Sequence, residues 1–385
     1  MPRKESEPLV KLLRNLAKLA ALPLEKATAM EPGVYTSQEF LELERQRIFK
    51  QQWLCAGLAA DISEPGNYTC FEIDLQPIVI IRQLDGSIQA FSNICRHRMM
   101  TLLEGGGSCR RIVCPYHAWT YGIDGQLIAA PHMQDRPGFD KSSICLPEIR
   151  CEIWHGWMYV TLDQSVEPVS QLLAGMEPLV SPYKMENYVP IDRQDHVWST
   201  NWKQLTENFM EGYHLPVTHK NTVGGYFPVE DTQFSKESPD PAFTYQFFTK
   251  TGDAPVGTAH PDNKHLKGKQ RRTSILPTVF PSHMYALAPD HFWYLSLQPR
   301  STGEVAIRYG AALAPEVLAA SKNPEELIAK TRSFLDRVNE EDRMVTEGIF
   351  RGAQAPLSIS GPLCWLEREN HEFTQYLARQ LCTKS

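Results

Sequence analysis

The sequence predicts an α+β protein of two domains: an antiparallel β domain first, then a domain in which antiparallel strands pack with helices. Three observations predict this. Over residues 66–162, short apolar runs such as 78–81 and 157–160 alternate with the turn pairs Pro65-Gly66, Asp85-Gly86 and Asp124-Gly125, the punctuation of hairpins. After Glu167, a connector carrying Pro168, Pro178 and Pro182 gives way to helical periodicity over residues 201–214 and 324–351. Between those helices, the alternating runs 284–287, 292–295 and 305–307 read as further antiparallel strands. The expected boundaries are 1–52 for an N-terminal helical segment packing on the second domain, 53–165 for the β domain and 166–385 for the second domain.

Composition narrows the function classes. With 385 residues, 42% hydrophobic and 22% charged, the chain can bury two cores. A formal net charge of −6 argues against a nucleic-acid binder and points to small molecules and proteins as partners. The nine cysteines have no disulfide-framework spacing, which favours a reducing cytoplasm. At the N-terminus, Leu9, Leu12, Leu13, Leu16 and Leu19 recur at helical spacing, with Lys11, Arg14 and Lys18 interrupting any secretory apolar core. Such a basic amphipathic helix can lie on a membrane, but packing on its own domain or on a neighbouring subunit is the commoner fate. A second helix is predicted over residues 37–51, with Ser37 as its N-cap.

The chemistry begins at Cys95-Arg96-His97, followed after sixteen residues by Cys114-Pro115-Tyr116-His117. Two thiolates and two imidazoles in two short loops can hold a [2Fe–2S] pair with sulfur ligands on one iron and nitrogen ligands on the other, an arrangement that raises the reduction potential. A structural zinc is the competing reading, but neither pair fits a finger pattern. Cys109 lies between the loops without a partner at a useful offset and is read as a bystander. The segment, continued as CPYHAWTYGIDGQL, resembles the Rieske domain of the Rieske non-heme iron oxygenases.

The second domain offers a second metal motif. In NWKQLTENFMEGYHLPVTH, a helix capped by Thr200 or Asn201 is expected to run to about His214, ended by Pro216, and to place Glu207, Glu211 and His214 on one face, with His219 arriving from the following turn. This stretch resembles the mononuclear iron motif of the same family, and the resemblance places a carboxylate ligand near the C-terminus. Within residues 324–351, Asp342 falls in the apolar stripe of Leu335, Val338, Val345 and Ile349; it is the choice, with Glu341 in reserve. Residues 231–272, rich in Pro, Ser and Lys, read as a lid or entrance loop. Within them the cluster Lys264, Lys267, Lys269, Arg271 and Arg272 reads as a solvated face, with an acidic redox partner as the alternative.

The resemblance implies a helix-grip, START-like second domain and a homotrimer or a multiple of it. It also implies Fe(II) on His214, His219 and Asp342, Glu211 bridging from His214 to a cluster histidine of the neighbouring subunit, and Asn208 lining the site. No G-x-G-x-x-G opens a helix after a strand, so electrons from NAD(P)H must arrive through a separate flavin and iron–sulfur reductase, with or without a ferredoxin. ENFMEGYH carries Glu211 where ring-hydroxylating dioxygenases have aspartate and is one residue tighter than the naphthalene type. It looks more like members that hydroxylate or N-demethylate choline, betaine or carnitine. Trp293, Tyr294, Tyr285 and Phe292 are available for a cage around such a cation, although a hydrophobic core is the commoner account of most of them. The alternatives are an aromatic-acid (di)oxygenase and, in another class, a non-catalytic Rieske electron carrier.

Overall fold

The structure is a computed structural model and describes residues 6–225, 228–235, 240–250 and 256–382. The chain divides into two compact units, Phe49–Gln171 and Met1–Ile48 together with Leu172–Ser385. The smaller unit reaches a few residues beyond 53–165, because Lys50 pairs with Asp74 at 2.9 Å and Trp53 Nε1 donates to the Glu167 carbonyl at 2.8 Å.

The smaller unit is all antiparallel. Its strands are β1 (Leu54–Leu58), β2 (Asn67–Ile73), β3 (Gln76–Arg82), β4 (Ile88–Ser92), β5 (Gly106–Ser108), β6 (Ile112–Val113), β7 (Thr120–Tyr121), β8 (Leu127–Ala129), β9 (Glu148–Trp154) and β10 (Trp157–Thr161). They form a seven-stranded sheet in the order β1-β10-β9-β4-β3-β2-β5 and a small sheet β6-β7-β8. The expected turns are there: Gly66, Gly86 and Gly125 all take positive φ (84°, 86° and 80°). At Gly66 a Cβ would sit 2.4 Å from the Cys109 carbonyl oxygen, so both φ and space require glycine.

The larger unit is built on a seven-stranded antiparallel sheet. Its strands are β11 (Val189–Trp198), β12 (Gln233–Phe234), β13 (Phe243–Thr249), β14 (Thr273–Val279), β15 (His283–Leu287), β16 (His291–Ser301) and β17 (Glu304–Leu313), in the order β11-β17-β16-β15-β14-β13-β12. β13 corrects the reading of residues 231–272 as one long loop. Its sequence FTYQFFT alternates buried and part-buried positions and pairs along its whole length with β14; residues 236–239 and 251–255 lie outside the described residues.

Seven helices matter here: α1 (Glu7–Ala20), α2 (Pro32–Thr36), α3 (Gln38–Glu44), α4 (Trp202–Phe209), α5 (Leu215–Thr218), α6 (Pro324–Ala353) and α7 (Arg368–Cys382). α1 buries Leu9, Leu13 and Leu16, and its polar ties run to α7, where Cys382 Sγ meets the Leu13 carbonyl at 3.3 Å. Among the described residues no helix is long and apolar enough to cross a membrane.

The two faces of this sheet are distinct. Trp293 of β16 meets Phe209 of α4 at 5.3 Å, Gln246 of β13 donates to the Met210 carbonyl at 3.1 Å, and Thr244 donates to Glu372 of α7. These residues define the helix-bearing face. Strand alternation puts Phe292 and Tyr294 on the other face, together with Tyr285, which is opposite Tyr294 in register. There Phe292 stacks on Tyr188 at 5.5 Å. Of the four cage candidates, three are therefore core on the far side, as expected of most of them, and Trp293 alone faces the helices.

Candidate metal centres

In the smaller unit, the two cysteine–histidine loops share one backbone design. Cys95 and Cys114 each offer a carbonyl to the amide four residues on, from Met99 and Ala118 respectively, both at 3.1 Å. Met99 and Ala118 both take a left-handed conformation, with φ of 55° and 56°. Non-glycine residues rarely do so, and the repetition at the same offset from both cysteines marks a functional geometry. Both thiols are buried, at 2% and 3% exposure, in a cluster with Trp119 and Tyr121. His97 and His117 stand with ring centroids 4.7 Å apart, and His97 stacks on Trp119 at 4.8 Å.

The donor set fits a mixed sulfur–nitrogen cluster. His117 Nδ1 is buried without a hydrogen-bond partner, as a ring nitrogen committed to a metal would be. His97 is pulled below the ordinary imidazole range, by desolvation first and then by the charges of His117, Arg98 and Arg136, which keeps it in the neutral form a metal binds. Tyr121 Oη lies 3.3 Å from Cys95 Sγ and accepts from the Arg96 amide at 2.9 Å.

In the larger unit, α4 starts as expected, with Asn201 Oδ1 accepting from the Lys203 amide at 3.0 Å. It ends at Phe209, not at His214. Three features oppose its continuation, one of them from a distant strand. Gln246 takes the Met210 carbonyl, Glu211 turns its carboxylate onto its own turn, accepting from the His214 amide at 3.1 Å, and Pro216 cannot supply an amide to a continued helix. Pro216 instead sits in the first turn of α5. Glu207, Glu211 and His214 consequently do not share a helical face. Glu207 turns to Tyr35 of α2, whose hydroxyl meets its two oxygens at 3.0 and 2.9 Å.

The break aims both histidines at α6. One ligand atom each from His214, His219 and Asp342 lie within 4.8 Å of one another. His219 Nε2 is 3.0 Å from Asp342 Oδ1 and His214 Nε2 is 3.7 Å from it, with the rings at 63°. Each imidazole is held from behind by its own carboxylate: His214 Nδ1 meets Glu211 Oε1 at 2.6 Å and His219 Nδ1 meets Glu341 Oε2 at 2.8 Å. Donation from both Nδ1 atoms leaves both Nε2 lone pairs directed at the space beside Asp342. Asn208 Nδ2 donates to Asp342 Oδ1 at 2.8 Å, and Thr222 donates to Glu341 at 2.5 Å.

Asp342 belongs to the buried stripe of α6 with Leu335, Val338, Thr346 and Phe350, while Ile349, expected in that stripe, is 47% exposed. Burial works to lower the His219 pKa, and the hydrogen bonds and charges of Asp342 and Glu341 more than offset it, so the ring is held more basic than free imidazole. Two neutral imidazoles and one carboxylate, with room left over, suit a ferrous ion that must bind dioxygen. Glu341, expected as a reserve ligand, is brought to the back of His219 instead. Glu341 adjoins Asp342 on the same helix and was the only trace in the sequence of this support.

Comparisons with known proteins agree with this architecture. The model for the ring hydroxylating alpha subunit (catalytic domain) matches residues 185–383, and the Rieske [2Fe–2S] domain model matches residues 52–140. A glycine betaine monooxygenase oxygenase subunit of Pseudomonas aeruginosa is 33% identical over 186 residues, 48% of this chain and 43% of that one. The carnitine monooxygenase oxygenase subunit of Acinetobacter baumannii is 30% identical over 48% of this chain and 51% of that one. Chloroplastic choline monooxygenase of Spinacia oleracea is 26% identical over 94% of this chain and 80% of that one. The chain thus spans about half the length of the bacterial relatives it matches. Among solved structures, the quaternary ammonium Rieske monooxygenase CntA with L-carnitine superposes with a TM-score of 0.76 at 23% identity, covering 95% of this chain and 98% of that one. Naphthalene 1,2-dioxygenase from Rhodococcus sp. bound to indole gives 0.80 at 18% identity, covering 99% of each. The chain therefore belongs to the ring-hydroxylating oxygenase alpha-subunit family, with a Rieske [2Fe–2S] domain ahead of the non-heme iron catalytic domain.

Proposed function

We propose that this chain is the oxygenase component of a Rieske-type system that hydroxylates or oxidatively N-demethylates a small quaternary amine. The observation that carries the reading is the convergence of His214, His219 and Asp342, each steadied by a further side chain. Relatives named for glycine betaine, carnitine and choline support the substrate class. Electrons would come from a separate reductase, directly or through a ferredoxin. When bound, the cluster supplies electrons one at a time and the ferrous ion activates dioxygen beside the substrate.

The chain's own residues do the rest. Glu211 and Glu341 fix the tautomers of the two histidines, and Asn208 holds one oxygen of Asp342 in place. Trp293, against Phe209 on the helix-bearing face, offers an aromatic ring to a quaternary ammonium group, which has no N–H to donate. Glu211, the side chain tied to His214, is the group we assign to bridge toward the cluster of a neighbouring subunit in a ring of three.

The test is oxygen uptake with a competent reductase and iron-loaded protein, scored against glycine betaine, carnitine, choline and aromatic acids. The quaternary amines should stimulate uptake and yield an aldehyde, and His214→Ala should keep the cluster but lose the activity. Stimulation by aromatic acids alone, with a hydroxylated ring as product, would move the chain to the aromatic-acid branch. A loaded protein that consumes no oxygen with any of them would refute the proposal.

A further inference from the structure

A cavity of about 430 Å³ borders the iron site on the side of Asn208 and Glu211. It opens past Ile359, which is 90% exposed. Two residues on its wall have no place in metal binding: Tyr35 of α2 and Glu207 of α4. They are 172 positions apart in sequence and meet in a forked contact, one hydroxyl against both oxygens of one carboxylate. Glu207 is half-buried, with an edge on the cavity. Asn208 and Glu211, which line the same cavity, touch Asp342 and His214 directly.

The charges around Glu207 are few. Tyr35 faces it from α2, Lys203 stands one turn earlier on its own helix, and Glu367 faces it from the segment before α7. Lys203 is itself claimed by Glu44 of α3 at 2.7 Å, and Glu44 also accepts from Trp202 Nε1 at 3.0 Å. Burial pushes the Glu207 carboxyl up to about 8, against the pull of the Tyr35 hydrogen bond and of Lys203, with Glu367 adding to the rise. Tyr35 is held well above the ordinary phenol range, by burial first and then by Glu207. The pair therefore holds a proton at neutral pH on the wall of the cavity that Asn208 and Glu211 also line.

This matters because of the reaction's balance. Inserting one atom of dioxygen into a C–H bond and reducing the other to water consumes two electrons and two protons, and two of the three candidate ligands, His219 and Asp342, are buried. We propose that Glu207, with Tyr35 as its fixed partner, is the group that passes protons from solvent to the iron site, by way of water in the cavity beside Asn208 and Glu211. Glu207 gives its proton to that water and is refilled from solvent through the mouth at Ile359. The proposal rests on the oxygenase reading above.

The experiment compares wild type, Glu207→Gln and Tyr35→Phe, all loaded with cluster and iron. In the wild type, kcat should fall as pH rises through the Glu207 titration. Glu207→Gln keeps a partner for Tyr35 but cannot exchange a proton. Its kcat should drop by about tenfold or more, its high-pH limb should vanish, its solvent isotope effect should rise, and its iron content should not change. Tyr35→Phe removes a bond that stabilises the carboxylate, so the limb should move to higher pH. A readout independent of turnover is 13C NMR of glutamate-labelled, metal-free protein: a carboxyl that titrates above the ordinary glutamate range and is missing in Glu207→Gln supports the relay. A Glu207→Gln profile identical to wild type overturns it, as does a rate loss that follows iron loss. A wild type that takes up no oxygen overturns the oxygenase reading, and the relay with it.

Discussion

Glu341→Ala tests whether support from behind the ligands decides iron binding. His219 is 2% exposed, so once its 2.8 Å contact with Glu341 is gone the Nδ1–H cannot turn to bulk water. A buried donor left unmade costs about 1–3 kcal/mol. The ring can escape the penalty by moving its proton to Nε2, where Asp342 Oδ1 waits at 3.0 Å, but that tautomer has no lone pair to offer the metal. Either route weakens iron binding. Loss of such an outer partner is worth about 10–100-fold in metal affinity, equivalent to about 1.4–2.7 kcal/mol, which matches the range worked from burial. Glu341→Gln keeps an acceptor but gives up the charge, so it should lose about 1 kcal/mol. The assay is equilibrium competition for Fe(II) against a chromogenic chelator, with the cluster followed separately by its absorbance. Glu340→Ala is the control, because Glu340 is exposed and its charge partner Arg343 is 3.9 Å away. Unchanged iron affinity in Glu341→Ala, or an equal loss in Glu340→Ala, would refute the reasoning.

Three further outcomes follow from buried polar groups. Lys203→Met leaves Glu44 buried without its cation and should destabilise the larger unit by about 3–5 kcal/mol in chemical denaturation, with most of the loss recovered in Lys203→Met, Glu44→Leu; an additive double variant would count against the pair. Burial pushes His283 down to about 3, so the folded state holds it neutral while the unfolded state protonates below the ordinary imidazole range. Stability should therefore be full above pH 6.5 and fall by up to about 1.4 kcal/mol for each unit as pH drops from 6.5 toward 3; thermal melts of His283→Phe across that window should be flatter, and parallel curves would refute this. Tyr121→Phe removes a hydroxyl 3.3 Å from Cys95 Sγ. At about 1 kcal/mol for the bond and about 59 mV for each 1.4 kcal/mol, the cluster's potential should drop by about 40 mV in redox titration, and an unchanged potential would sink the assignment.

What could be read from the sequence, and what could not, divides by distance along the chain. The cysteine–histidine loops are legible because each is a single turn, and the two turns prove to have matching geometry at Met99 and Ala118. The five-residue spacing of His214 and His219 is equally legible. The conformation between them is not: helical spacing extends α4 to His214, whereas the helix is stopped by Gln246, a residue of β13 that no local pattern connects to Met210. β13 itself is hard to read because Pro- and Ser-rich flanks obscure seven residues whose alternation is present in FTYQFFT.

The same logic separates ligands from their supports. A ligand advertises itself by type and spacing, so Asp342 could be chosen by the stripe it interrupts. A support as near as Glu211, three residues before His214, is legible too, but a distant one shows only where the chain meets itself: Glu341 against His219 across 122 positions, Tyr35 against Glu207 across 172. Periodicity on α6 placed Asp342 and Glu341 on neighbouring faces, and that was enough to name two candidates but not to divide the work between them. The division is set by where His219 arrives, with Nε2 at Asp342 and Nδ1 at Glu341.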